Sequence, residues 1–127
     1  MYNDHGTKSA QGKTSIELEV DSYYFEPTFV RGDPGQKLEV ELKNDAASTT
    51  HNFTVTAQNV DTDIPAKGKA TITITIPQAG VVGFFCKFHT GQGMNGELLA
   101  GDAAPQPVGA VVPGATPTGS TPSYPPY

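Results

Sequence analysis

An all-β fold is what this sequence predicts, an antiparallel Greek-key sandwich or barrel of about eight short strands. Three observations carry that expectation: apolar and polar residues alternate with period two in successive segments, turn residues punctuate the alternation at regular spacing, and no stretch repeats with helical period. The first strand places Ile16, Leu18 and Val20 on one face and Glu17, Glu19 and Asp21 on the other. Tyr23, Tyr24 and Phe25 lead to Pro27, and Phe29 and Val30 form a short apolar piece. Gly32, Asp33, Pro34 and Gly35 close it with dense turn chemistry. Residues 36–42 make the clearest amphipathic strand, with Leu38, Val40 and Leu42 inward and Lys37, Glu39, Glu41 and Lys43 outward. After a polar loop, residues 51–56 alternate Phe53 and Val55 against Asn52, Thr54 and Thr56. A longer connection through Asp61, Asp63 and Pro65 reaches residues 69–76, where Ile72, Ile74 and Ile76 stand between threonines. Pro77, Gln78, Ala79 and Gly80 turn the chain into residues 81–85. Gly91 and Gly93 interrupt the pattern, and residues 96–100 resume it around Leu98 and Leu99.

The 127 residues and 13.3 kDa allow one small domain, placed at residues 15–102. Residues 1–14 are polar without an apolar period and read as a flexible lead. Residues 103–127 contain seven prolines and no charge, and read as a disordered Pro-rich tail. Thirteen acidic against eight basic residues give −5 overall, and twelve against six give −6 within the domain. That sign opposes nucleic-acid binding, where affinity comes from neutralising phosphates. No stretch is long and apolar enough for a transmembrane segment. The opening residues carry neither the basic start nor the apolar block of a secretory signal, so the chain reads as cytosolic or as a trimmed mature form. A single cysteine excludes an internal disulfide, a CxxC redox pair and multi-thiolate zinc or iron–sulfur sites.

Four residues able to bind a soft or borderline metal occur in one order: His51, Cys86, His89 and Met94. Three fall within nine residues just after a hydrophobic strand, where a loop can fold thiolate, imidazole and thioether around one point. His51 arrives from another strand. Two histidines and a cysteine in a plane with a weak axial methionine are the ligand set of blue-copper electron-transfer sites. Soft sulfur suits Cu(I), imidazole and thiolate suit Cu(II), and one rigid mixed site serving both states keeps rearrangement small. Taken singly, a lone cysteine is a small hydrophobe and a strand histidine is merely tolerated; the four together point to a metal. His5 reads as a solvated residue of the lead. Asp45, Asp61 and Asp63 read either as a docking patch for a basic partner or as solvated loops, and Lys87 as pointing to solvent.

His51-Asn52-Phe53, Phe84-Phe85-Cys86, the His89 and Met94 spacing and Gly96 resemble the small blue copper proteins, or cupredoxins, and most closely their plastocyanin-like branch. Phe25-Glu26-Pro27 and residues 35–42 are similar to the family's early strands, so the resemblance covers about residues 15–101. It implies one copper ion and single-electron transfer between a redox donor and acceptor, by a monomer working outside the cytoplasm as a periplasmic, exported or membrane-tethered protein. It also implies that His89 is the electron port within an apolar docking face to which Gly91 and Gly93 contribute. By the same resemblance Asn52 ties the two ligand loops together near the thiolate. Phe88 stands where plastocyanins commonly have proline. Its N–H is available to the Cys86 sulfur, which favours Cu(I) and a raised potential. Phe85 lacks the hydroxyl of the tyrosine common before this cysteine, so photosynthetic partners do not carry over.

An enzyme is the weaker alternative. Three histidines, one of them in the lead, cannot build a second copper cluster, and a binuclear centre needs two bridging cysteines. A copper-binding module for sequestration, delivery or resistance would use the same four ligands, although the chain lacks the methionine- or histidine-rich segments that favour copper handling. Zinc gains little from a thioether and does no redox work.

Overall fold

The computed structural model describes residues 2–107. Its ten strands are β1 (Thr7–Ser9), β2 (Ser15–Asp21), β3 (Tyr24–Glu26), β4 (Phe29–Gly32), β5 (Lys37–Asn44), β6 (His51–Val55), β7 (Val60–Ile64), β8 (Lys69–Thr75), β9 (Val81–Phe85) and β10 (Asn95–Ala100). They form an all-β sandwich. One sheet has the order β1-β4-β10-β9-β6-β7 and the other β3-β2-β5-β8. The chain changes sheet repeatedly, so five of the eight neighbouring strand pairs are not consecutive in sequence. The pairs β1–β4, β4–β10 and β2–β5 accordingly run parallel within an otherwise antiparallel arrangement.

The period-two segments behave as their patterns require. Ile16, Leu18 and Val20 of β2, Leu38, Val40 and Leu42 of β5 and Ile74 of β8 are buried, while Glu17 and Glu39 face water. Between the sheets sit Phe25, Phe53 and Phe84. Phe53 stacks on Phe84 at 4.8 Å between ring centroids, and Phe25 meets both edge-on. Full burial of such a ring is worth about 2 to 3 kcal/mol, and this aromatic cluster forms part of the core from which the ligand-bearing strands project.

Three short strands went unread in the sequence, and one of them corrects the expected lead. Thr7–Ser9 adds to the sheet beside β4, Ala10 is fully buried, and Ala10 N–H donates to the Arg31 carbonyl at 2.7 Å. His5 is likewise engaged: it stacks on Tyr24 at 3.7 Å and lies 3.4 Å from the Glu26 carboxylate. At the other end, the Ala103 carbonyl accepts from the Arg31 guanidinium at 2.9 Å. The rest of the expected Pro-rich tail, residues 108–127, lies outside the described residues.

Tyr2 and Gln106 come together beside β10, every residue of which is buried. Tyr2 meets Phe29 edge-on at 5.0 Å and donates its hydroxyl to the Gln106 carbonyl at 2.6 Å. Glu97 is enclosed beneath them. Its Oε1 accepts from Gln106 N–H at 2.8 Å, and its Oε2 meets no donor among the described residues. Burial pushes this carboxyl up from 4.5 to about 7, against the Gln106 amide and the Tyr2 hydroxyl, which favour the charged form. The native state therefore keeps a proton that the unfolded chain has already released. The contribution of Glu97 to stability is therefore expected to fall as pH rises from about 4.5 to about 7, by roughly 3 kcal/mol. Urea unfolding should show the natural chain losing stability relative to Glu97→Gln across that range, a comparison that cancels the opposite contribution of His51 and His89, whose values burial lowers in both chains. Equal slopes would mean that Glu97 does not titrate as its burial demands.

Candidate metal centre

β6 and β9 run antiparallel, with Thr54 opposite Phe85, so the start of β6 and the end of β9 lie at the same end of the sandwich. His51 opens β6, and Cys86 follows β9 directly. The chain then makes a 3₁₀ turn at Thr90–Gln92 and returns as β10. Cys86 N–H donates to the Met94 carbonyl at 3.1 Å, and Met94 N–H donates to the His89 carbonyl at 3.3 Å. The loop thereby closes on itself with His89 and Met94 held beside Cys86. Gly93 ends the turn at φ +86°, a left-handed conformation that a side chain would strain.

The structure brings His51, Cys86 and His89 together, with one donor atom from each lying within 4.8 Å of the others. Cys86 Sγ is 3.4 Å from His89 Nδ1 and 4.0 Å from His51 Nδ1. His51, Cys86 and Met94 are fully buried and His89 is partly exposed. His51 Nε2 faces Ser22 Oγ at 3.1 Å. With Nε2–H donating to Ser22, Nδ1 presents its lone pair toward the sulfur.

Protonation follows from burial. Desolvation first, and then the neighbouring His89, lower His51 to about 4 against the opposing pull of Asp21, and desolvation also lowers His89. Both rings are thus neutral at pH 7, the form in which imidazole binds a metal. Desolvation raises the Cys86 thiol, while amides of Phe88, Asn52 and His89 hydrogen-bond to its sulfur and work the other way. A metal would displace the Cys86 proton and keep those N–H donors on the thiolate.

The Asn52 side chain makes four hydrogen bonds beside Cys86. Its Oδ1 accepts from Lys87 N–H at 3.2 Å and from the Thr54 hydroxyl at 2.5 Å, and its Nδ2 donates to Asp61 at 2.9 Å and Asp63 at 2.8 Å. The start of β6, strand β7 and the residue after Cys86 are joined through one side chain. Lys87 completes the group, with Nζ 3.0 Å from Asp61 and 3.9 Å from Asp63, so it does not point freely to solvent. Asp45 stands apart from this network and pairs with Lys43 at 3.8 Å.

The expected docking face needs one correction. Gly91 is exposed, but Gly93 is buried under Asn3, whose side chain lies where a Cβ would project. Phe88, about half exposed, and Tyr23 flank His89 instead. The Tyr23 ring lies 4.6 Å from His89 and 6.1 Å edge-on from His51, between centroids. Sequence reading missed Tyr23, Ser22 and Asn3. The only local signal was a tyrosine pair placed between two strands.

Set against known proteins, residues 3–100 match the model of a family described as the cupredoxin-like domain. Reduced auracyanin from the photosynthetic bacterium Roseiflexus castenholzii is similar in structure, with a TM-score of 0.60 and 21% identity over 70% of this chain and 98% of that one. Auracyanin A, a "blue" copper protein from Chloroflexus aurantiacus, gives 0.54 and 19% over 69% and 100%. The metal-binding domain of a Cu(I)-exporting P-type ATPase from Streptococcus pneumoniae gives 0.61 and 12% over 75% and 97%. At these identities the likenesses show a shared fold. No curated protein matches the chain.

Proposed function

This chain belongs to the cupredoxin-like domain family, and from that premise we propose that it is a carrier of single electrons, in which His51, Cys86, His89 and Met94 would hold one copper ion. The observation that carries this reading is the convergence of two neutral imidazoles on one buried thiol. That donor set fits copper, which when bound supplies the Cu(I)/Cu(II) couple. The residues supply rigidity. Ser22 fixes the His51 ring, Asn52 ties β6 to the residue after Cys86, and the Met94 and His89 backbones lock the loop. His51, Cys86 and Met94 are closed to water, which reaches the cluster only from the His89 side.

His89 is the port through which electrons pass to a donor and an acceptor, because it alone of the histidine and cysteine ligands is partly exposed. Gly91, Phe88 and Tyr23 surround it as the docking face. Carriage is favoured over catalysis because His51, Cys86 and His89 form one cluster with no second metal group beside it among the described residues. The family resemblance supports a monomer working outside the cytoplasm. Among the described residues no helix is long and apolar enough to cross a membrane.

Voltammetry and electron exchange of the copper-loaded chain test the reading, using cytochrome c as a partner protein and a Cu(I) chelator as the competing sink. A reversible one-electron wave, fast exchange and slow copper loss are expected. Rapid surrender of copper without fast exchange would instead support delivery or sequestration. The Phe88 amide donates to the sulfur, whose charge is greater in the Cu(I) state. Removing it in Phe88→Pro should therefore lower the potential by roughly 50 mV, and an unchanged potential would dismiss that role.

A further inference from the structure

The ligand loop is not held by the loop alone. The carbonyls of Gln92 and Gly93 both point to the N-terminal segment, and both are met by Asn3. Asn3 N–H donates to Gly93 O at 3.0 Å, and Asn3 Nδ2 donates to Gln92 O at 2.8 Å. The same Nδ2 reaches Tyr23 O at 2.6 Å. On its other side the Asn3 carbonyl accepts from the Thr28 hydroxyl at 3.2 Å, and Thr28 is fully buried. One residue therefore links three parts that are remote in sequence: the loop between His89 and Met94, the aromatic residue leaning on both histidines, and the core beside β4.

The chemistry of the contact depends on asparagine. A primary amide has two N–H donors, and here they serve two carbonyls that would otherwise face water. An aspartate of the same shape offers only acceptors and would set a carboxylate against two carbonyl oxygens. Gly93 is matched to this arrangement, since a Cβ at that position would lie 2.9 Å from the Asn3 amide.

We propose that Asn3 is a positioning residue of the metal centre, clasping Gln92, Gly93 and Tyr23 so that the His89–Met94 loop stays closed over the site. The inference rests on the reading that this loop carries two copper ligands. Its consequence is kinetic. A loop that opens less often releases its metal more slowly and protects its own amides from solvent. The Asn3 side chain makes two of these hydrogen bonds, to Gln92 and Tyr23; their joint loss corresponds to about a tenfold or larger change in the open population, and facing acceptors in place of donors to somewhat more.

The test compares the full chain with Asn3→Ala, Asn3→Asp and, as a control in the same segment, Asp4→Ala. Three quantities are read: amide hydrogen exchange at Gln92, Gly93 and Met94 in the copper-free protein, the rate of Cu(I) loss to excess bathocuproine disulfonate, and the melting temperature. Both Asn3 variants are expected to exchange those amides and lose copper about tenfold faster, with Asn3→Asp at least as fast as Asn3→Ala. Melting should fall by no more than about 10 °C, and Asp4→Ala should match the natural chain in all three. Loop exchange and copper loss within about twofold of the natural chain would overturn the proposal. So would a rise in exchange spread evenly over all strands, because that is general destabilisation. If the natural chain formed no copper–thiolate site, the carrier reading would fall, while exchange at Gln92 to Met94 would still decide whether Asn3 clasps the loop.

Discussion

Cys86→Ser is expected to abolish the intense visible absorption of the copper-loaded chain and leave the pale spectrum of ordinary Cu(II). The absorption arises from a copper–thiolate bond, and Cys86 is the chain's one sulfhydryl. Serine preserves the shape of the buried position and offers an oxygen to the amides of Phe88 and Asn52 that now serve the sulfur. The fold should therefore survive, and melting of the metal-free variant is the control. Loss of groups that merely orient a ligand costs about 10- to 100-fold in metal affinity, so loss of the thiolate itself should weaken Cu(I) retention by more than about 100-fold. The EPR spectrum distinguishes the outcomes. Narrow copper hyperfine splitting that persists in Cys86→Ser would mean that the sulfur is not a ligand, and the carrier reading would fail with it.

Gly96→Ala is expected to be the most destabilising small substitution near the site. A Cβ at Gly96 would overlap the Phe84 ring and the backbone carbonyl oxygen of Thr28. Neither can yield easily. Phe84 is locked in contact with Phe25 and Phe53, and the Thr28 carbonyl accepts from Glu97 N–H at 3.1 Å. Overpacking of this kind costs about 3 kcal/mol, which lowers the melting temperature of a domain this size by roughly 10 to 20 °C. Gly96 also lies two residues beyond Met94, so the copper spectrum of the surviving folded fraction should shift as well. A melting temperature within about 3 °C of the natural chain would show that β10 can move away from β4 and the Phe84 ring.

Strands with one buried face could be read in the sequence because their burial is written locally. Leu38, Val40 and Leu42 against Glu39 and Glu41 can be assigned without knowing what they pack on. The candidate ligands were visible for a different reason: Cys86, His89 and Met94 are chemically rare residues closely spaced after an apolar strand, and the motif around them resembles a known family. β7 was read as part of a connection: of its five residues only Ile64 is fully buried, and its pairing comes from β6. β1 is polar and fully exposed in side chain, so nothing but its register with Phe29, Val30 and Arg31 makes it a strand.

The sequence by itself thus determined the all-β class, the apolar faces of the main strands and the chemical type and order of the candidate ligands. Tertiary structure alone decided how that site is enclosed. Asn3 meets Gln92 across 89 positions, and Tyr2 meets Gln106 across 104. The Tyr23 ring comes to rest on His89, and Gly93, placed on the docking face by the motif, lies under Asn3. The physical reason is that alternation and spacing record only which side of a segment avoids water. Which donor satisfies a given carbonyl is settled only once the sheets have stacked and residues remote in sequence meet the groups left over.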